Sequence, residues 1–435
     1  MMMMMTTRPS LEGLPVELHI CILFKLQDLD SLRSLVLASP DYYQAYHLVR
    51  DELLLSILQS SHDDLVDVAD AVAAIRSKGL YACKLSNREK IIALLDSRRR
   101  SEEIRRLGLL SPFPDQPATV EETIQLLHLH RMATFLLDDY SKTARYPDWV
   151  PTEKWKNKSL ILSRTEQRRF FRAFYRMQIW ANIFGHIELP LGADKPEQEN
   201  YWFEGVPPVF EEEEVWRLFF GTMAPWEVEE IACFWKHCYH RWAEPYFEAS
   251  DNLLSYGVTF ISDIPPDEKP PFTRYWDDCD DLKIREDACR ESLACMGPSF
   301  LVTMLRERNS RARRDLVLAN AISRNHFFGE YWPRPDFEMP GALPLLYPAD
   351  RFNFGTDFDG LKEFLNTLQP HERPNVAWTQ LWLGAGLDYP EVFVDMFCYA
   401  EPSSCWDWGF ALWSDERLVE WGALDQPSLR RDVYT

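Results

Sequence analysis

Cys233, His237, Cys238 and His240 fall within one run, CFWKHCYHRW. On a helix, a spacing of four sets Cys233 beside His237, and such pairs can hold zinc. A tetrahedral site needs two further ligands, however, and Cys238 points to a different face. The run therefore reads as a Trp-rich core helix with incidental Cys and His. Asp277, Asp278, Asp280 and Asp281 form an acidic cluster that could attract a divalent ion but reads as a solvated turn. Asp357-x-Asp359-Gly360 opens like a calcium loop and lacks the later ligands and the closing Glu. Gly384-x-Gly386 has no third glycine and is too short for a dinucleotide fingerprint. No Gly-rich phosphate loop, nucleophile elbow or paired-His zinc helix occurs. The sequence thus assigns no catalytic residue, no metal ligand and no cofactor.

Charge and aromatic content point to surfaces and core. Glu211–Glu214 suits the first turn of a helix, where the dipole favours carboxylates. Arg98–Arg100, Arg105-Arg106, Arg168-Arg169 and Arg313-Arg314 read as solvated helix faces. Trp180, Trp216, Trp226, Trp235 and Trp242 are expected to fill the core. Trp406, Trp408, Trp413 and Trp421 crowd the C-terminus, where a Trp cluster either cements a terminal element or forms a binding hot spot; cementing is the expectation here.

These residues must be positioned by helices. Few runs alternate with period two, so the chain reads as mainly α with long Pro-rich connections. Apolar spacing predicts helices over 51–58, 65–75, 88–106 and 120–140, a break at 111–117, and a strong aromatic helix over 165–184. The pattern over 225–255 is a long helix that Pro245 must interrupt or kink. Shorter helices are expected over 211–220, 286–296, 298–308, 390–399 and 414–422. Phe410–Trp413 reads as a short strand or one turn of helix.

The composition is uneven. All 16 Trp follow residue 148, as do 22 of the 29 Pro, which sets a junction near 147–151. The formal charge is −21, and residues 1–110 carry 14 Lys/Arg against 15 Asp/Glu, so the acidic excess lies C-terminal. Such a balance argues against general nucleic-acid binding. No 18-residue apolar run suggests a membrane span, and no apolar h-region follows the opening methionines. Nine scattered cysteines fit reduced thiols in an intracellular (cytoplasmic or nuclear) protein. No fixed repeat period is visible. The expected organisation is a disordered N-terminus over 1–10, a helical module over 11–50, a helical connecting region over 51–146, and an acidic, Trp-rich, mostly helical domain over 147–435.

The N-terminal module has the most specific pattern. Leu14, Leu18, Ile22 and Leu26 are spaced by four, with Leu23 widening the stripe. Pro15 and Glu17 suit a first helical turn. Leu32, Leu35 and Val36 form a second stripe, and Ser39-Pro40 starts a third helix bearing Tyr43 and Tyr46. About 40 residues bury too little surface to be secure alone, so these leucines call for a cover from elsewhere.

This segment, LPVELHICILFKLQDLDSLRSLVLASPDYYQAY, resembles an F-box. It carries one extra residue between Leu26 and Leu32, and Tyr43 stands where a late Trp is usual; both features, and the C-terminal ending, are similar to fungal F-box-like proteins. The resemblance implies a three-helix module whose Leu14, Pro15, Leu18, Ile22, Leu23, Leu26, Leu32 and Leu35 contact the Skp-type linker of an SCF-type ubiquitin ligase. Burying six such side chains would supply on the order of 10 kcal/mol gross, before association costs. The chain would then be a substrate-recognition adaptor, not an enzyme, and residues 147–435 would bind a protein client. The alternatives are an interaction module whose F-box-like helices are packed internally, and an unrecognised enzyme with a pocket near His237, His240 or Asp277–Asp281.

Overall fold

The computed structural model of the chain describes residues 11–106, 117–151, 159–185, 187–188, 209–210, 214–215, 218–254, 289–320, 358–383, 404–426 and 429. The described part is mainly helical, with no strand among the described residues. Residues 111–116 of the break expected at 111–117, Trp216, the Asp277–Asp281 cluster, Asp357, Gly384, Gly386 and the expected helix over 390–399 lie outside the described residues.

The N-terminal module consists of α1 (Val16–Leu23), α2 (Leu29–Ala38) and α3 (Pro40–His62), which pack on one another. Asp28 caps α2 by accepting from the Ser31 amide at 2.8 Å, and Pro40 takes the first position of α3. Ser39 precedes Pro40 as expected, but its hydroxyl makes no cap bond. Non-helical Val49 (φ −128°, ψ 17°) kinks α3 into two helical stretches, the second beginning close to the helix start expected at Asp51. The second stretch carries the module onto the body, because it packs on α6 (Val120–Thr143).

The end of α3 is pinned as well. Asp63 and Asp64 take left-handed conformations, which Asp tolerates better than most residues. Arg164 and Arg168, at the start of α7 (Arg164–Phe184), reach back to their carboxylates and carbonyls at 2.6–3.1 Å.

α4 (Val68–Arg76) and α5 (Arg88–Arg106) follow, α5 at the expected bounds with Ile91 and Leu95 buried. α7 is the centre of the fold. Ser163 and Glu166 close a capping box at its start. It packs against α4, α6 and α8 (Pro225–Arg241). α8 and α9 (Ala243–Leu254) divide at Trp242, three residues before Pro245, which sits in the first turn of α9 where a missing N–H costs nothing. Phe410–Leu412 is a 3-10 turn, not a strand.

The α7 surface corrects one expectation. Arg169 is not a solvated residue: Arg169, Arg172 and Arg176, three and four apart, form one inward row, with Arg169 and Arg176 buried and Arg172 nearly so. Arg172 grips Glu230 at 2.6 and 2.8 Å, and Arg176 bridges Asp70 (2.7 Å) and Glu227 (2.8 Å). Three guanidiniums thus face three carboxylates from α4 and α8, which lets the charges leave water as a neutral set. Periodicity cannot separate this row from a solvated face, since both are polar at helical spacing.

One contiguous buried cluster runs from Leu23 to Leu429. The segment at 147–151 is part of it: Val150 is buried and the Trp149 indole donates to the Trp421 carbonyl at 3.1 Å. The C-terminal tryptophans cement, as expected. Trp413 is fully buried, stacks on Tyr140 at 5.2 Å and meets Trp421, while Arg417 covers both rings.

Candidate functional site

The first candidate surface is the N-terminal module. Its eight sequence-assigned residues separate into three groups. Pro15 and Leu18 are exposed, Leu18 by 47%. Leu14, Ile22, Leu26 and Leu35 are half-buried. Leu23 and Leu32 are buried inside the chain, at 0% and 4% exposure. The inner side of α1 is His19 and Leu23, spaced by four; His19 packs on Tyr42 and bonds the Leu11 carbonyl at 2.9 Å. The stripe through Leu14, Leu18 and Ile22 therefore lies beside the internal contact, and Leu26 lies past the end of α1.

Exposed apolar side chains concentrate here. Of the 11 large hydrophobic residues exposed among the described residues, seven fall between Leu11 and Leu48: Leu11, Val16, Leu18, Phe24, Leu37, Tyr43 and Leu48. Scattered exposed apolar residues are ordinary, but here most of them lie within one 38-residue stretch.

The second candidate lies where α6, α8 and the 404–413 segment meet. Here Cys233, His237 and His240 line a cavity of about 180 Å³. Cys238, as expected from its register, points elsewhere and is absent from the lining. No group of three or more His, Cys, Asp or Glu fit to hold a metal occurs among the described residues.

The cavity wall is built by residues far apart in sequence. His240 Nε2 lies 2.7 Å from Asp407 Oδ1, which also has Lys236 at 3.7 Å. Asp407 sits below its usual carboxyl range, chiefly through the His240 bond, while burial moves His240 down. Behind the wall, Arg241 holds Asp139 with bonds of 2.8 and 3.1 Å. Asp139 is thereby occupied, and His237 Nε2 stands 3.7 Å from it, beyond hydrogen-bonding reach. Burial lowers the His237 pKa and keeps its ring neutral. The Tyr140 ring meets His237 edge-on at 4.9 Å, and its buried hydroxyl has no partner. Gly409, at φ +74°, makes room for that hydroxyl: a Cβ there would lie 2.7 Å from it.

Trp406 lines the same cavity and donates its indole N–H to the buried Glu229 carboxylate. Burial pushes Glu229 up to about 7 against the pull of that bond. Burial also raises the Cys233 thiol well above its ordinary value, so it is no activated nucleophile. Sequence reasoning pointed to Cys233, His237 and His240 but missed Tyr140, Arg145 and Asp407. Tyr140 reads as one more apolar-face residue of α6, and nothing near Arg145 or Asp407 in the sequence announces that they converge on α8.

No helix among the described residues is long and apolar enough to cross a membrane. No protein-family model matches the chain, and no curated protein and no solved structure matches it either.

Proposed function

We propose that the chain is a substrate-recognition adaptor of an SCF-type ubiquitin ligase. Its α1–α3 module binds a Skp-type linker, and the Trp-rich region presents a protein client. The observation that carries this is the local excess of exposed apolar side chains on a three-helix module that opens on Leu14-Pro15. Leu18, Pro15 and the half-buried Leu14 and Ile22 form the linker-facing side; Leu23 and Leu32 hold the module together from within. The adaptor needs no active site of its own, since the ligase's other subunits transfer ubiquitin.

The burial of Leu23 and Leu32 and the seating of α3 on α6 favour a second reading, an interaction module with no ligase link. A pull-down of the full chain with the Skp-type linker from its own organism separates the two. Binding that is lost in the Leu14→Ala/Pro15→Ala variant, with helical circular dichroism unchanged, supports the adaptor. No binding by the folded wild-type chain, or equal binding by the variant, rejects it.

A further inference from the structure

Residues 306–314, RERNSRARR, hold five arginines and one glutamate. They carry +4 in a chain of net charge −21, which leaves −25 for the rest. The run turns the corner between two helices. α10 (Pro298–Arg306) packs on α6 and α7, with Phe300, Leu301 and Met304 buried. α11 (Ser310–Asn320) packs on α9. Asn309 caps α11 by accepting from the Arg311 and Ala312 amides at 3.0 and 3.2 Å. Arg313 pairs with Glu248 of α9, and Val317, one turn on, is buried. These two residues set the inner side of α11, which leaves Arg311 outward with its side chain 91% exposed.

The nearby carboxylates are largely engaged. Glu248 is held by Arg313, and Glu307 accepts from the Asn309 amide at 2.8 Å. On the α6 side, Asp30 pairs with Arg131 at 2.9 Å, and the Arg306 guanidinium lies over the Phe135 ring at 4.5 Å. Asp315 reaches Arg311 only at 4.0 Å, both side chains being open to water. Arg308 is exposed, and neither it nor Arg314 forms an ion pair with a described residue. Four guanidiniums within nine residues thus have at most a distant carboxylate. A single exposed ion pair is weak, so a partner gains by answering several of them together.

We infer that this corner is a docking surface for a short acidic segment of another protein, one whose Asp and Glu side chains meet Arg306, Arg308, Arg311 and Arg314. Guanidiniums suit carboxylates because two N–H groups can hold both oxygens. The charge of the remaining chain limits the partner's extent. A nucleic-acid duplex or a membrane would also face the −25 outside the run, whereas a segment of about ten residues meets the corner within a Debye length of about 10 Å. The site does not depend on the apolar surface of the α1–α3 module and stands whether or not the chain joins a ligase.

The test is fluorescence anisotropy of a labelled Asp/Glu peptide of about twelve residues, titrated with the full chain at about 50 mM salt. The expected result is saturable binding with half-saturation below about 0.3 mM, lost at about 0.5 M salt. Arg308→Ala/Arg311→Ala, at two exposed positions, should weaken it about tenfold with circular dichroism unchanged. Lys142→Ala/Arg145→Ala, which removes two exposed cations at the C-terminal end of α6, should leave it unchanged. Absence of saturation, equal binding by the Arg308→Ala/Arg311→Ala variant, or an equal loss in Lys142→Ala/Arg145→Ala overturns the assignment. Tighter binding of a DNA duplex or of phosphatidylserine vesicles than of the peptide overturns it too, since the corner would then serve a polyanion of another class.

Discussion

Arg176 Nε on α7 donates to Asp70 Oδ2 on α4 at 2.7 Å, with both side chains 3% exposed. The same guanidinium reaches Glu227 of α8 at 2.8 Å, so one side chain ties three helices together. The pair is worth little against a well-packed apolar substitute, since both charges had to leave water. Removing one partner is different, because it strands the other. Arg176→Met should therefore destabilise the chain by about 3–5 kcal/mol in urea unfolding. Adding Asp70→Asn and Glu227→Gln to Arg176→Met should recover part of that loss. A single Arg176→Met variant as stable as wild type would mean that the row is not desolvated.

Leu18 and Leu23 sit five residues apart on α1 and face opposite fates. Leu18→Asp places a charge on an exposed position and should change stability by less than about 0.5 kcal/mol. It should nonetheless abolish capture of the Skp-type linker. Leu23→Ala empties a fully buried position and should cost about 2–5 kcal/mol. Thermal unfolding and pull-down of both variants check the division. Linker binding that survives Leu18→Asp would remove Leu18 from the interface.

The helices were legible wherever apolar spacing and caps agreed. α5 matched its expected bounds, α7 began at a capping box, and Pro245 announced the division of α8 from α9. What spacing could not show was which polar rows turn inward. Arg169, Arg172 and Arg176 have the periodicity of a solvated face, and only the carboxylates of Asp70, Glu227 and Glu230, 51 to 106 residues distant for Arg176, make their burial possible. The cavity has the same character. Cys233, His237 and His240 stood out locally, whereas Tyr140, Arg145 and Asp407 reach it through tertiary packing alone. Within the N-terminal module the eight assigned positions form a sequence pattern, yet a stripe does not say which leucines close on their own module and which stay outside.

Glu229 gives a pH signature. Its carboxyl is raised from 4.5 to about 7 by burial, so the folded state holds a proton that the unfolded chain has released. Its contribution to stability is complete below about pH 4.5 and is lost as pH rises through about 7. The span corresponds to on the order of 3 kcal/mol. Glu229→Gln keeps a neutral side chain at every pH. The stability of Glu229→Gln relative to wild type should therefore increase between pH 5 and pH 8, read as a widening difference in Tm. A constant difference across that range would show that Glu229 does not titrate there.

His62 and His130 act with the opposite sign at the seat of the N-terminal module. Their rings lie 4.9 Å apart between α3 and α6, and His130 Nδ1 meets the Tyr175 hydroxyl at 3.1 Å. Burial lowers His62 to about 3, helped by the neighbouring His130, and lowers His130 to about 4. The unfolded chain therefore takes up protons below about pH 6.5 that the folded chain refuses. Their stabilising effect is full above about 6.5 and declines as pH falls through about 4 and then 3. His62 Nε2 has no hydrogen-bond partner, so His62→Phe removes the titration without breaking a bond. The variant should lose less stability than wild type between pH 6.5 and pH 4, while its stability at pH 7.5 stays within about 1–2 kcal/mol of wild type. Urea midpoints measured at both pH values decide it. Parallel losses in the two proteins would mean that the acid transition is carried by carboxylates such as Glu166 and Asp139, whose pKa values lie below their ordinary range beside Arg417 and Arg241.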